Sequence, residues 1–462
     1  MPWIVAFVEG FSTLAVEVVA LRLALPVVGS SATLTGVMLG VVLLALSAGY
    51  WRGGALSARW DRPRMARRLG LNLALAAALY AFVAFPLEPA ALSWLLSVGG
   101  PLPLAVGGAA LLLFFPVYLA SQSVPLLAEM TNRDGKAGAA SGKVLFYSTL
   151  GSVVGGVATP VFLFPTLGVL RSALLTCGLL ALAAALAAFR DARRTSLVAL
   201  ALAITLGGAA LAPADPSLPF SFDSAYQNFR VAFFDKDGRQ EKVLLLNGGH
   251  ASGIWADTGE SSFGYVRGAV ETLSGTKAQD VLVIGSAGFT FPRDAAAMPW
   301  VKTVDAVDVD PAVKLIAEKE FLGVPLDKKI RFVPQSARYA VRHTDEKNYG
   351  FTLLDAYQGQ GVPDELVTRE FFRDVAAVSQ KTVANAILDR ALASDFSRNL
   401  LATFRDGFGG VWTRDANPSG GRLTNVLVAS WPAPGFKIWT GAGTVWTDDR
   451  NSADNDRTAM WR

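Results

Sequence analysis

Residues 281–311 read VLVIGSAGFTFPRDAAAMPWVKTVDAVDVDP. The run VLVI at 281–284 has the length of a buried strand and is closed by Gly285-Ser286-Ala287-Gly288. The run VDAVDVD at 304–310 is a second strand ending in acids, and Pro311 is placed to open a helix. Downstream, IRFV at 330–333, FTLLD at 351–355, TVANAIL at 382–388 and LTNVLVAS at 423–430 are further strand-length runs, with a helical stretch near 368–378. This alternation predicts an open, mostly parallel, doubly wound α/β sheet. Upstream, β-prone runs at 228–234 and 242–246 flank Asp237-Gly238, which is hairpin turn chemistry.

In such sheets ligands bind beyond the carboxyl ends of the strands. Glycine lacks Cβ, so a turn built on Gly285 and Gly288 lets a ligand approach the backbone closely. Asp308 stands at the end of the second strand, about 20 residues beyond the turn, where an acid accepts hydrogen bonds from a ribose diol. Asp310 is the nearby alternative. The plainer readings are a tight strand-to-helix connection and a solvated carboxylate.

Composition changes abruptly near Pro213, Pro216 and Pro219. Residues 1–212 hold 14 Lys and Arg against 7 Asp and Glu, a net charge of +7; the remainder holds 28 against 31, a net −3. Apolar stretches at about 3–28, 33–51, 69–86, 103–129, 142–165, 170–189 and 195–212 are long enough to predict about seven membrane spans. The first contains Glu9, Glu17 and Arg22, so it reads as a retained helix rather than a cleaved signal. Its acids belong on the bundle interior, as a polar path or as structural pairs. Gly151, Gly155 and Gly156 suit close helix packing. Arginine-rich loops after the second, fourth and sixth spans put all three basic clusters on one, cytoplasmic side. Seven spans then carry the remainder to the exoplasmic side. Two crossings within 87–129 would return it to the cytoplasm. The basic excess therefore belongs beside a lipid bilayer, not on a nucleic-acid surface. The lone Cys177 excludes an intrachain disulfide, and two histidines, His250 and His343, leave no zinc ligand set.

The expected organisation is a multi-pass helical domain over 1–212, a Pro-rich linker over 213–225, and an α/β domain over 226–462. Within the last, several segments resemble the spermidine synthases, the polyamine aminopropyltransferases. FDSAYQNFRV resembles that family's opening segment, with Tyr226-Gln227 at its Tyr-Gln, and LLLNGGHASG resembles the segment that follows. VLVIGSAGFTFPRDA is similar to the family's glycine-rich turn, and VDAVDVDP to its acid-Pro strand end. SARYAV at 336–341 is similar to the segment that contacts adenine, and LLDAYQGQGVPDELVTREFF to the active-site strand and following helix. The whole likeness spans about 226–375 in the family's order and is nearest to its membrane-fused members.

The resemblance implies a Rossmann-like, class I methyltransferase-type domain with an N-terminal β-hairpin, behind an all-α transmembrane bundle. It implies transfer of an aminopropyl group from decarboxylated S-adenosylmethionine to a polyamine, with no permanently bound cofactor and no metal; S-adenosylmethionine itself is the other donor considered. By this likeness Gln227, Gly285, Gly288, Asp308 and Ser336 lie at donor-binding positions. Tyr226 and Glu260 lie at amine-binding positions, and Asp355, Gln358 and Tyr265 at catalytic ones. The family's Asp-x-x-Asp here reads Asp355-Ala356-Tyr357-Gln358, which places an amide where the resemblance puts the base, and an amide accepts no proton at neutral pH. Ser336 stands for an adenine-contacting Asp, Phe289 intrudes on the glycine turn, and Arg267 is ill suited to a polyamine site. Asp364 is the carboxylate that could take the missing base's place. These departures keep a second reading open: a catalytically inactive binding or assembly module with protein partners in a membrane complex. A transporter with a sensor domain is a third.

Overall fold

Helix packing in the N-terminal half is set by where glycine replaces a side chain. The computed structural model describes residues 2–28, 32–84, 113–132, 135–212, 220–344, 349–357, 361–417 and 421–461. It divides into two compact units, Met1–Ser217 with Phe222–Ala225, and Leu218–Ser221 with Tyr226–Arg462. The first contains α1 (Pro2–Val28), α2 (Ala32–Ser57) and α3 (Arg62–Ala84). These are followed by α4 (Leu113–Thr131), α5 (Ala137–Leu167), α6 (Val169–Ala188) and α7 (Arg193–Leu211). Helices α1 and α5 meet backbone to backbone. A Cβ on Gly151 would strike the carbonyl of Phe7, one on Gly155 that of Phe11, and one on Gly10 that of Ser148. This is the close approach that small residues four apart permit. Gly151→Leu is therefore expected to cost about 1–3 kcal/mol or more, seen as a lowered thermal midpoint of the protein in detergent. An unchanged midpoint would mean that the helices have room to separate. Pro160, which has no N–H to donate, lies in a π-helical turn of α5 at Thr159–Leu163.

Six of these helices are long and apolar enough to cross a membrane by length and composition. The exception is α3, expected as the third span, which begins at Arg62 and carries Arg64, Arg67 and Arg68 in its first turns. Its charged start lowers its mean hydropathy, and residues 85–112 beyond it lie outside the described residues. The question of one crossing or two within 87–129 falls largely on those residues.

In the second unit, β1 (Asn228–Lys236), β2 (Arg239–Leu246) and β3 (Gly249–Trp255) form an antiparallel meander. Asp237 and Gly238 make the first turn with φ +56° and +76°, the left-handed pair that matches strand twist in a two-residue hairpin. An eight-stranded sheet follows. Its strands are β4 (Asp280–Ile284), β5 (Thr303–Asp308), β6 (Ile330–Pro334), β7 (Phe351–Leu354), β8 (Thr382–Asp389), β9 (Trp412–Asp415), β10 (Leu423–Ala429) and β11 (Lys437–Ile438). They lie in the order β11-β9-β10-β8-β7-β4-β5-β6.

The pairs among β4 to β8 are parallel. Strands β10, β9 and β11 are antiparallel to their neighbours. The run 423–430, expected to continue the parallel alternation, thus makes the sheet mixed. Its link from β9 is too short for the crossover that a parallel pair needs. Pro311 departs from expectation by one position, serving as N-cap rather than first residue of the helix Ala312–Ile316.

Val281, Leu282, Val283 and Ile284 are all buried, as befits a strand covered on both faces. Helices α8 (Gly264–Thr276), α9 (Thr290–Ala296) and α10 (Ala312–Ile316) precede α11 (Ala337–Arg342) in the chain. On one face Leu282, Ile284, Leu354 and Val428 pack with α11, α12 (Arg369–Val378) and α13 (Asp395–Phe408) through Val341, Phe371, Phe372 and Phe404. The result is a Rossmann-like, doubly wound layer whose central strands β4 and β7 end side by side.

Candidate functional site

Strand order reverses between β4 and β7, because β5 lies to one side of β4 and β7 to the other. Ligands of open α/β sheets bind at such a switch point, beyond the carboxyl ends of the strands. Gly285 turns the chain out of β4 with φ +89°, and its missing Cβ would otherwise meet the backbone of Asp355 and Ala356 at the end of β7. The Asp355 N–H donates to Ile284 O at 2.7 Å and the Gly285 N–H to Val307 O at 2.9 Å, so the two strand ends are locked edge to edge.

Three of the five residues from Gly285 to Phe289 have left-handed backbone: Gly285, Ala287 at φ +37° and Phe289 at φ +56°. For the two non-glycine residues this is stored strain, a feature that clusters at ligand sites. Phe289 is fully buried and meets Phe332 edge to face at 5.7 Å, which holds it there. The Gly288 N–H donates to Ser252 Oγ on β3 at 3.0 Å, tying the meander to the turn.

Asp308, at the end of β5, receives the N–H of Ser286 and that of Asp310, each at 3.1 Å. Burial pushes its carboxyl above the ordinary range, partly offset by these backbone hydrogen bonds. The spacing in sequence thus corresponds to direct contact between the turn and its acid.

Among the described residues of this unit, Asp355 is the most perturbed carboxyl. Burial raises it from 3.8 to about 7, opposed by hydrogen bonds from Asn385 and Tyr265. Asn385 Nδ2 donates at 2.8 Å, and its own Oδ1 accepts from Asn425 Nδ2 at 3.0 Å. Tyr265 lies in the first turn of α8 with its ring buried, and burial and the neighbouring carboxylate together push its hydroxyl well above the usual phenol range. Tyr357 Oη donates to Asn385 O and accepts the Ile387 N–H, both at 3.1 Å. The arrangement is a proton-holding carboxyl with two neutral donors, beside a glycine turn and its acid.

The expected residues divide accordingly. Tyr265 and Asp355 meet, as do the Gly285–Gly288 turn and Asp308, and Gly285 joins the two groups. Gln358 lies outside the described residues. Ser336 caps α11, accepting the Tyr339 N–H at 3.4 Å. Tyr226, exposed, and Gln227, partly buried, lead into β1. Glu260 is exposed at the bend after β3, where its charge is felt by Asp294. Arg267, read from sequence as hostile to a polycation, donates to the carbonyls of Ser261 and Ser262 at 2.9 and 3.0 Å. Its guanidinium thus has a structural use. Asn385 and Asn425 escaped the sequence reading, although an amide inside an apolar central strand is the signal that marks them. An apolar cavity of about 30 Å³ behind Asn385, lined by Ile284, Phe371 and Phe404, is a packing gap too small for a substrate.

No family model matches the chain. It is 31% identical over 182 residues to the polyamine aminopropyltransferase of Vibrio vulnificus, covering 37% of this chain and 58% of that protein. It is 28% identical over 396 residues to polyamine aminopropyltransferase 2 of Streptomyces coelicolor, covering 79% of this chain and 69% of that protein. The Mycobacterium tuberculosis polyamine aminopropyltransferase is 29% identical over 257 residues, with 52% of this chain and 46% of that protein covered. Among solved structures, a probable spermidine synthase from Corynebacterium glutamicum aligns with a TM-score of 0.39 at 18% identity, over 46% of this chain and 79% of that one. The chain thus spans a little over half the length of the Vibrio relative and less than half of the mycobacterial one. The Streptomyces match is longer than the second unit, which begins at Leu218, so it extends into the helical unit. These sequence matches are to polyamine aminopropyltransferases, the spermidine synthase family, which the chain resembles in sequence.

Proposed function

We propose that this protein is a membrane-integrated aminopropyltransferase in which Asp355 takes the proton from the attacking amine. The amine lone pair forms a bond to the aminopropyl carbon of decarboxylated S-adenosylmethionine. The carbon–sulfur bond breaks, its electron pair stays on sulfur, and methylthioadenosine leaves as a neutral thioether. The proton lost from nitrogen passes to the Asp355 carboxylate. The observation that carries this reading is the placement of the Asp355 carboxyl at the switch point, under hydrogen bonds from Asn385 and Tyr265, where burial pushes it up to about 7. A base tuned close to the working pH is the effective one, so Gln358 need not supply that function. Asp308 and the Gly285–Gly288 turn would hold the nucleoside half of the donor, and the enzyme's main contribution is in-line alignment.

The test is methylthioadenosine release by the purified full-length protein given decarboxylated S-adenosylmethionine and putrescine. Saturable release is expected. No release, together with no heat of binding at millimolar methylthioadenosine, would overturn the reading. Binding without release would favour the inactive binding module, whose support is the buried Phe289 in the turn and the use of Ser336 as a cap.

The donor is a cytoplasmic metabolite, so activity requires the second unit on that side. On this reading a reporter fused after Arg462 is active in the cytoplasm, which requires an even number of crossings in place of the seven expected from the sequence. An exoplasmic signal would separate the domain from its donor and favour the binding module of a membrane complex.

A further inference from the structure

The helical unit carries an open groove that the transfer chemistry leaves unused. Helices α1 and α5 run parallel, since Phe7 meets Gly151 and Phe11 meets Gly155. Trp3, in the first turn of α1, lies beside Tyr147 with ring centroids 5.6 Å apart. Helix α5 begins earlier, at Ala137, so its first turns run past the start of α1 at Pro2. The groove, about 500 Å³ in volume, lies there, lined by Trp3, Ala139, Gly142, Lys143, Phe146 and Tyr147. The five residues from α5 recur at helical spacing, which puts them on one face. The packed face of α5 is a different one, with Val144, Ser148, Gly151 and Gly155 buried.

The groove is charged at one end and apolar at the other. Lys143 is exposed and, among the described residues, makes no hydrogen bond, ion pair or ring contact. It follows Arg133 and Lys136 in a stretch whose one acid is Asp134. Further into the apolar length of α5 come Phe146, which is 60% exposed, and Tyr147, which it meets edge to face at 5.3 Å. Between the two ends the wall is low, and a Cβ on Gly142 would meet nothing within 4 Å. A lysine without a counter-charge beside a Trp–Tyr pair suits an anion with an apolar body. Tryptophan and tyrosine of membrane helices sit at headgroup level, and basic pockets between such helices take anionic headgroups. A soluble anion would use Lys143 and leave the aromatic wall bare. An uncharged lipid would cover the wall and leave the lysine unmatched.

We propose that this groove binds one anionic phospholipid, its phosphate on Lys143 and its glycerol and upper acyl chains against Trp3, Phe146 and Tyr147. The proposal rests on the membrane reading of the helical unit and is independent of transfer at Asp355.

The test is native mass spectrometry of the full-length protein in neutral detergent, with dioleoyl phosphatidylglycerol or dioleoyl phosphatidylcholine added. One phosphatidylglycerol is expected to bind about tenfold more tightly than phosphatidylcholine, the gain from one charge-assisted hydrogen bond. Lys143→Gln should remove that preference, whereas Lys136→Gln, outside the groove, should keep it. Gly142→Leu should fill the groove and weaken phosphatidylglycerol binding about tenfold or more. Its thermal midpoint should be equal or higher, because leucine is the better helix former and the space beside Gly142 is open. Should Gly142→Leu fail to fold, the lysine pair decides alone. Equal affinity for the two lipids, equal losses in Lys143→Gln and Lys136→Gln, unchanged binding in a folded Gly142→Leu, or displacement of the lipid by an equal concentration of glycerol 3-phosphate would each overturn the proposal. Release of the protein from membranes by alkaline carbonate would sink the membrane reading itself; retention there without lipid preference sinks this inference alone.

Discussion

Asp355→Asn is expected to abolish aminopropyl transfer and, at neutral pH and above, to stabilise the fold. Removing a positioned general base costs about 10²–10⁴ in rate. Asparagine has nearly the same shape and can still accept from Asn385, so the fold should survive. The stability effect follows from linkage. Burial raises the Asp355 carboxyl from 3.8 to about 7, so the folded state holds its proton more tightly than the unfolded state does. Below about pH 4 both states are protonated and this site adds no pH dependence. Between about pH 4 and 7 the unfolded chain ionises first, so stability falls as pH rises, and above about 7 the loss levels off. Discounted for the partial exposure of the residue, the loss at pH 8 is about 2–4 kcal/mol. Denaturant unfolding at pH 5 and pH 8 checks this. Wild type should lose stability between the two, and Asp355→Asn should lose less. In wild type, kcat/KM should rise with pH through a midpoint near 7, since only the ionised carboxyl accepts a proton. A flat profile together with retained turnover in Asp355→Asn would move the proton acceptor elsewhere.

Gly285→Ala is expected to be the most damaging single-methyl substitution in the second unit. Two penalties coincide at this residue. Its φ of +89° is poor for any residue with a Cβ, and the added carbon runs into the backbone of Asp355 and Ala356. Neither strand end can retreat, because the Asp355 N–H is bonded to Ile284 and the Gly285 N–H to Val307. A cost of about 3 kcal/mol or more is expected. Gly288→Ala should be milder, since its Cβ would press on the side chains of Phe321 and Ser252, which can shift. Gly238→Ala meets only open space and should cost no more than its left-handed φ demands. Limited proteolysis of the three variants checks the order. Wild-type resistance in Gly285→Ala would mean that the β4–β7 junction is far looser than its hydrogen bonds imply.

Legibility followed the range of the interaction. The hairpin turn at Asp237-Gly238 was readable because its two residues carry the required left-handed backbone themselves. Strands β4 to β8 were readable as apolar runs, but the antiparallel direction of β10 was not, since nothing within LTNVLVA states which neighbour it meets. Asp308 was legible as a partner of the glycine turn through a characteristic spacing. The proton affinity of Asp355 was not: it depends on Asn385, 30 residues further on, and on Tyr265, brought in by α8. The structural use of Arg267 was not legible, because its carbonyl partners, Ser261 and Ser262, are fixed by the bend after β3.

By itself the sequence determined the division into an apolar helical half and an α/β half, the glycine turn with its acid, and the family likeness. These rest on composition, periodicity and short-range turn chemistry, which each segment carries alone. Only the tertiary structure decided which carboxyl can hold a proton near neutrality and which neutral donors meet the acids of α1. Both depend on burial and on partners from distant elements, and desolvation is a property of the assembled surroundings rather than of any stretch of chain.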